Sequence, residues 1–219
     1  MLLALDVRNS GIMAGFREGP RWSTVVRLGG DRSADELGIL LEACARKAGF
    51  GPEPGIDEAW VSSVVPAMTA RVVAALASSF GVAASVVGPG TRTGLKIRTD
   101  TPSEMGSDIV CAAVAARELA TGAAIVVDFS AAIVLSAIDS AGELLGAAIA
   151  PGLETAARSL RSSAAQIPEI RLDPPRRAIG RNTAQSLQSG ILFGYGGLVR
   201  RLVEMMSAEM AETPTVDQR

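Results

Sequence analysis

Two apolar runs each carry an aspartate just before they break: Asp6 in "LLALDVRNSGIMAGF" (2–16) and Asp128 in "AIVVDFSAAIVLSAI" (124–138). A strand leading into Asn9-Ser10-Gly11 needs a turn, and an aspartate bonded to its own turn amides would explain one copy. Two copies with the same length, apolar pattern and placed carboxylate point to a duplication, with two halves of similar topology facing each other. Facing carboxylates at strand tips suit phosphate chemistry. They repel phosphate directly, so they act through a metal ion, its waters or a proton in transfer. Turn amides beside Asp6 can grip phosphate oxygens as a small nest. A third carboxylate, Asp108, opens a helix in "GSDIVCAAVAA" (106–116), where the helix dipole alone would favour it. The loop "GPGTRTG" (88–94) is glycine-rich, but its spacing is wrong for a dinucleotide fingerprint and no helix begins at it.

The rest of the composition narrows the chemistry. There is no histidine, which excludes Ser-His-Asp triads, Cys-His pairs and histidine-ligated zinc. Cys44 and Cys111 fall in helical patterns among alanines and leucines and read as buried thiols. With 48% hydrophobic residues the chain can bury a sizeable core. The net charge of −2 and the lack of any Lys/Arg block argue against nucleic acid. Polar or glycine residues interrupt every apolar run, so no membrane span is predicted. The N-terminus enters a strand without a basic leader, and a soluble cytoplasmic protein is expected.

The elements that must position these residues follow from pattern. Strands are predicted at 2–7, 11–16 and 21–28, then a helix over 34–48, opened by a Ser33/Glu36 capping box and closed by Gly49. "EAWVSSVV" (58–65) reads as a strand, "AMTARVVAALASSF" (67–80) as a helix, "ASVV" (84–87) as a short strand and 107–119 as a helix. The pattern then restarts with strand, Asp128, break and strand over 123–138. The polar turn "DSAGE", a strand "LLGAAIAP" (144–151), a helix over 153–165 and a long helix over 183–210 complete it. Residues 211–219 read as a polar tail. Two lobes, 1–120 and 121–219, are expected.

Blocks along nearly the whole chain resemble the type III pantothenate kinases. "LLALDVRNS" looks like the family's first phosphate motif and "VVGPGTRTGL" like its substrate loop. "GSDIVCAAVAA" is similar to its Gly-Ala-Asp-Arg stretch, "IVVDF" to the start of its second Asp motif, and "GAAIAPG" and "IGRNTAQSLQSGILFGYGGLV" to its later blocks. The resemblance implies an α/β, duplicated two-lobe fold of the acetate/sugar kinase and actin superfamily. It also implies ATP-dependent phosphorylation of pantothenate in coenzyme A biosynthesis. Asp6, Asn9 and Ser10 would approach the ATP phosphates, Asp6 holding Mg²⁺ through water. Asp108 would be the base that takes the proton from the substrate's primary hydroxyl. Asp128 would hold a monovalent cation, K⁺ or NH₄⁺, or organise the second phosphate loop. Gly88, Gly90, Thr91, Arg92, Thr93, Gly94 and Thr183 would contact pantothenate, although turn formation and helix capping by Asn182 or Thr183 explain the same residues. The Gly-rich helix resembles the family's dimerisation segment.

The departures are concentrated in the site. Arg8 replaces the first motif's glycine and could still reach a phosphate. Ile109 replaces the substrate-holding arginine, a loss of about 1.5–3 kcal/mol for a hydrogen bond to a charged group. In "DFSAAIV" the second motif's glycine is Ser130 and its threonines are Ala131 and Val134, so Ser130 carries the only hydroxyl left there. The family's last strand, Thr-Gly-Gly turn and closing helices are expected to be lacking. Three readings follow: a pantothenate kinase-like enzyme of weak or lost activity, a non-catalytic (pseudoenzyme) partner or regulatory subunit of an intact kinase, or a kinase-like protein redirected to another hydroxylated small molecule. A homodimer, or a heterodimer with an intact relative, is expected.

Overall fold

A computed structural model describes residues 1–50, 55–163 and 167–212. It divides into two compact units, residues 1–93 with 101–111 and residues 94–100 with 112–219, and the division falls inside one helix.

In the first unit, β1 (Leu2–Arg8), β2 (Gly11–Glu18) and β3 (Arg21–Leu28) form an antiparallel meander. The helix α1 (Ala34–Lys47) follows, then β4 (Glu58–Ser63), α2 (Pro66–Phe80) and the two-residue β5 (Ser85–Val86). The sheet order is β3-β2-β1-β4-β5, with β4 parallel to β1. Strand alternation sorts the faces. Leu3, Leu5 and Val7 join Ile12, Phe16 and Val61 in a fully or almost fully buried layer, which meets Leu37 and Leu41 of α1 and Val72 and Leu76 of α2. Asp6 therefore points to the opposite face, as does its register neighbour Ser62 on β4. The Ser33/Glu36 capping box opens α1 as read from the sequence, and Gly49 follows its C-cap at φ +93°. Both helices approach closely at Gly38, where an added Cβ would run into Ser79.

After a single 3-10 turn (Pro102–Glu104), α3 (Ser107–Leu119) begins in the first unit. The second unit has an antiparallel meander of its own: β6 (Ala124–Phe129), β7 (Ala132–Ile138) and β8 (Leu144–Pro151). Ile133, Leu135 and Ile138 on β7 and Leu144 on β8 are buried. The helices α4 (Leu153–Ser163) and α5 (Thr183–Glu212) pack against β7. The expected helix end at 164–165 and tail residues 213–219 lie outside the described residues. Segment 94–100 is tied to β8: Leu144 N–H donates to Lys96 O (2.9 Å) and Arg98 N–H to Leu144 O (2.8 Å). Glu143 pairs with both Lys96 and Arg98. Among the described residues no helix is long and apolar enough to cross a membrane.

Candidate active site

The chemistry-bearing residues of the first unit gather where β1 and β4 end. Asp6 sits across from Met13 on β2 and Ser62 on β4. Arg8, two residues on and thus on the same face, donates from Nε to Asp6 Oδ2 at 2.6 Å. Their side chains are 22% and 28% exposed, Arg8 and Asp6 respectively, so the pair is reachable from solvent. The Arg8 guanidinium, expected from the sequence to reach a phosphate, is engaged with Asp6 in this structure. Asn9 and Ser10 form the exposed turn into Gly11, whose φ of +135° and contact with Leu28 O leave no room for a side chain.

The first turn of α3 covers Ser62, which is 8% exposed. Ser107 Oγ lies 3.1 Å from Ser62 Oγ, accepts the Ser63 N–H at 3.0 Å and donates to Ser63 O at 3.1 Å. Asp108 follows, half-buried, its Oδ1 accepting the Ile109 N–H at 2.9 Å. Gly106 makes room for that carboxylate, since an added Cβ would lie 2.5 Å from Asp108 Oδ1. One turn further, Cys111 meets Ser62. Burial pushes its thiol above the usual range, the Ser62 hydrogen bond pulls it back, and the carboxylates of Asp6 and Asp108 push it up. Asp6 pairs in register with Ser62, and Ser107, the residue before Asp108, bonds Ser62, so both carboxylates lie at this end of the sheet. Ile109 is 9% exposed and packs inward.

Sequence reasoning placed Asp6 and Asp108 separately and read Cys111 as a buried thiol only; it missed Ser62 and Ser107. Their signal was present. Ser107 and Cys111 are four apart and so share a helix face, and "VSSVV" ends a strand on two hydroxyls.

The substrate-loop residues form a turn. Thr91 N–H donates to Gly88 O, and Gly88 N–H to Thr91 Oγ1, both at 3.0 Å. Thr93 N–H bonds Thr91 O, and Gly90 takes positive φ (+91°). Arg92 is exposed. Gly94, which counts with the second unit and has φ +69°, accepts from Arg117 at 2.7 Å.

In the second unit, Asp128 lies on β6 opposite Val134. Ser130 spends its hydroxyl on Ala132 O (3.1 Å) and its N–H on the same oxygen (2.9 Å). Gly152 N–H and the Thr155 hydroxyl both donate to Ala131 O, and an added Cβ at Gly152 would strike Ser130 O. The Ser130–Ala131 turn is thus closed on itself. Asn182, not Thr183, caps α5: its Oδ1 accepts the Gln185 N–H at 2.9 Å, while Thr183 is exposed. Among the described residues no three His, Cys, Asp or Glu gather as a metal site. A Mg²⁺ held through one carboxylate, waters and a nucleotide's phosphates needs no such cluster.

A family model for type III pantothenate kinases matches residues 2–205. The chain is 42% identical over 214 residues to type III pantothenate kinase 2 of Symbiobacterium thermophilum, covering 96% of this chain and 80% of that protein. It is 40% identical to the type III pantothenate kinase of Moorella thermoacetica, covering 96% and 83%. In fold it is similar to a Baf family protein of Campylobacter jejuni, with a TM-score of 0.54 at 17% identity over 91% of this chain and 78% of that one. The α/β fold with a repeated strand meander, expected from the sequence, is the fold of the chain.

Proposed function

This chain belongs to the type III pantothenate kinase family, and from that premise we propose that it transfers phosphate from ATP to the primary hydroxyl of pantothenate, slowly, with Asp108 as general base. The observation that supports the reading is the register pairing of Asp6 with Ser62 and the bond from Ser62 to Ser107, which holds the start of α3, and with it Asp108, at the end of β4. Asp108 accepts the hydroxyl proton as the new O–P bond forms and the γ-phosphorus–oxygen bond to the departing ADP breaks, and the proton rests on its carboxylate until release to solvent. The turn amides at Asn9 and Ser10 would hold phosphate oxygens, and Asp6 would hold a Mg²⁺ ion, which when bound would supply charge neutralisation at the phosphate. A monovalent cation at Asp128, a cytoplasmic setting and a homodimer through α5 belong to the same proposal. A side chain at Gly190, Gly194, Gly196 or Gly197 would meet nothing within 4 Å among the described residues, so packing among those residues does not require these glycines.

Turnover is slow because the second phosphate loop has nothing to offer. The Ser130 hydroxyl is bonded to Ala132 O, and Ala131 and Val134 carry no hydroxyl. The same observation favours a second reading, a non-catalytic subunit of an intact relative. Calorimetric titration with a non-hydrolysable ATP analogue plus Mg²⁺, then with pantothenate, separates the two. The kinase reading expects pantothenate binding and nucleotide binding no tighter than about 1 mM, roughly −4 kcal/mol. Pantothenate binding with no nucleotide binding at any concentration favours the subunit, and binding of neither removes both.

A further inference from the structure

Ser107 Oγ has three polar neighbours at the end of β4: Ser63 N at 3.0 Å, Ser63 O at 3.1 Å and Ser62 Oγ at 3.1 Å. A serine hydroxyl brings one proton and two lone pairs. The Ser63 N–H can only donate, and the Ser63 carbonyl can only accept. Ser107 therefore spends its proton on that carbonyl, and the third contact is a hydrogen bond only if Ser62 donates. Ser62 lies on the same face of the sheet as Asp6, its register partner on β1, and is 8% exposed, so water competes little for its proton.

The third bond changes what is fixed. Two distances, both to Ser63, leave the Ser107 oxygen free to swing on an arc about the line joining the two partner atoms. A third distance, to an atom off that line, sets its place. The chain that follows is tied within itself. Asp108 Oδ1 accepts the Ile109 N–H at 2.9 Å, and the Val110 N–H continues the turn to Gly106 O at 3.1 Å. The carboxylate is thus held within the first turn of α3, and whatever places that turn places the carboxylate.

We propose that Ser62 is a positioning residue: by donating to Ser107 it sets where Asp108 stands relative to the strand end that carries Asp6. Resting on the kinase reading above, it deepens that reading, because the proton acceptor has to be aligned with the substrate hydroxyl during transfer. Misplacing such a group by about 1 Å can cost about 10²-fold in rate. Loss of the Ser62 hydroxyl orphans no donor of this network, since the Ser107 oxygen keeps the Ser63 N–H and its own proton stays on the Ser63 carbonyl. The fold is therefore expected to survive the change.

The test compares Ser62→Val with Ser62→Thr, two side chains of one shape that differ by the hydroxyl. Phosphorylated pantothenate is measured by mass spectrometry from the full chain with Mg²⁺, K⁺ and ATP, over a range of pantothenate concentrations. Urea unfolding of each variant confirms that it is folded. Ser62→Val is expected to lower kcat by about 10–100-fold while KM for pantothenate stays within about twofold of the unmodified protein. Ser62→Thr should recover most of kcat, because it keeps the donor. Equal kcat in the two variants, a loss that Ser62→Thr does not recover, or a rise in KM alone overturns the proposal while the kinase reading stands. No product from the unmodified chain removes the kinase reading and the proposal with it.

Discussion

Ser107 Oγ accepts the backbone N–H of Ser63 at 3.0 Å and returns its own proton to the Ser63 carbonyl at 3.1 Å, so α3 starts pinned to the end of β4. The pin fixes where Asp108, the next residue, stands relative to Asp6. Ser107→Ala leaves the Ser63 groups without this partner in a half-buried setting. The expected cost is about 1–3 kcal/mol in urea unfolding. Ser107→Thr, which keeps the hydroxyl, should recover part of it, and an unchanged midpoint for Ser107→Ala would show that the pin bears no load.

Cys111 reports on the carboxylates without any assay of activity. Burial raises its thiol pKa first, and the charges of Asp6 and Asp108 add to that. Asp108→Asn removes one of these charges, so the thiol should ionise at lower pH. In a Cys44→Ser background, the pH–rate profile of iodoacetamide alkylation should shift down for Asp108→Asn. Identical profiles would mean that Asp108 does not approach the thiol.

The same raised pKa predicts a pH dependence of stability. Above roughly pH 8.5 an unfolded cysteine loses its proton while the folded Cys111 keeps it. The unfolded state then binds fewer protons, and stability falls as pH rises toward the folded pKa. The contribution is complete below that window. Cys111→Ala should flatten the alkaline limb of the stability curve, measured by denaturant midpoint; a limb of unchanged slope would contradict this.

Arg8 and Asp6 form a pair only partly screened by protein. Arg8→Ala should therefore cost no more than about 1 kcal/mol, and less at high salt. A loss several times larger would mean that Arg8 supports the β1–β2 turn in another way.

Assembly is tested on α5. Among the described residues a Cβ added at Gly194 or Gly197 would meet nothing within 4 Å, yet each glycine costs a helix about 1 kcal/mol relative to alanine. Gly194→Leu with Gly197→Leu should keep the fold and weaken self-association in light scattering. A monomeric unmodified protein across the micromolar range would remove the homodimer.

Much of the fold was legible because strand alternation and capping are local. Leu3-Leu5-Val7 against Asp6, and Ser33 with Glu36, each lie within a few residues of one another. The attachment of segment 94–100 to Leu144 was not, since a parallel bridge between Ile97 and Leu144 leaves no mark on either stretch. The candidate carboxylates Asp6 and Asp108 stood out in the sequence because several motif-like blocks surround them. Two features depended on packing that a single sequence does not display. The Arg8 guanidinium turned inward to Asp6, and the Ser130 hydroxyl was taken by its own turn. The α5 cap fell to Asn182 because its Oδ1 meets the Gln185 N–H, three residues on.

The central claim is that Asp108 takes a proton from pantothenate during phosphate transfer from ATP. It is tested most directly by measuring phosphorylated pantothenate, by mass spectrometry, from the full chain with Mg²⁺, K⁺, ATP and pantothenate. The unmodified chain should form product slowly, and a folded Asp108→Asn variant should lose a further factor of about 10²–10⁴. Product formed at equal rates by both proteins, or none formed by the unmodified chain, would contradict it.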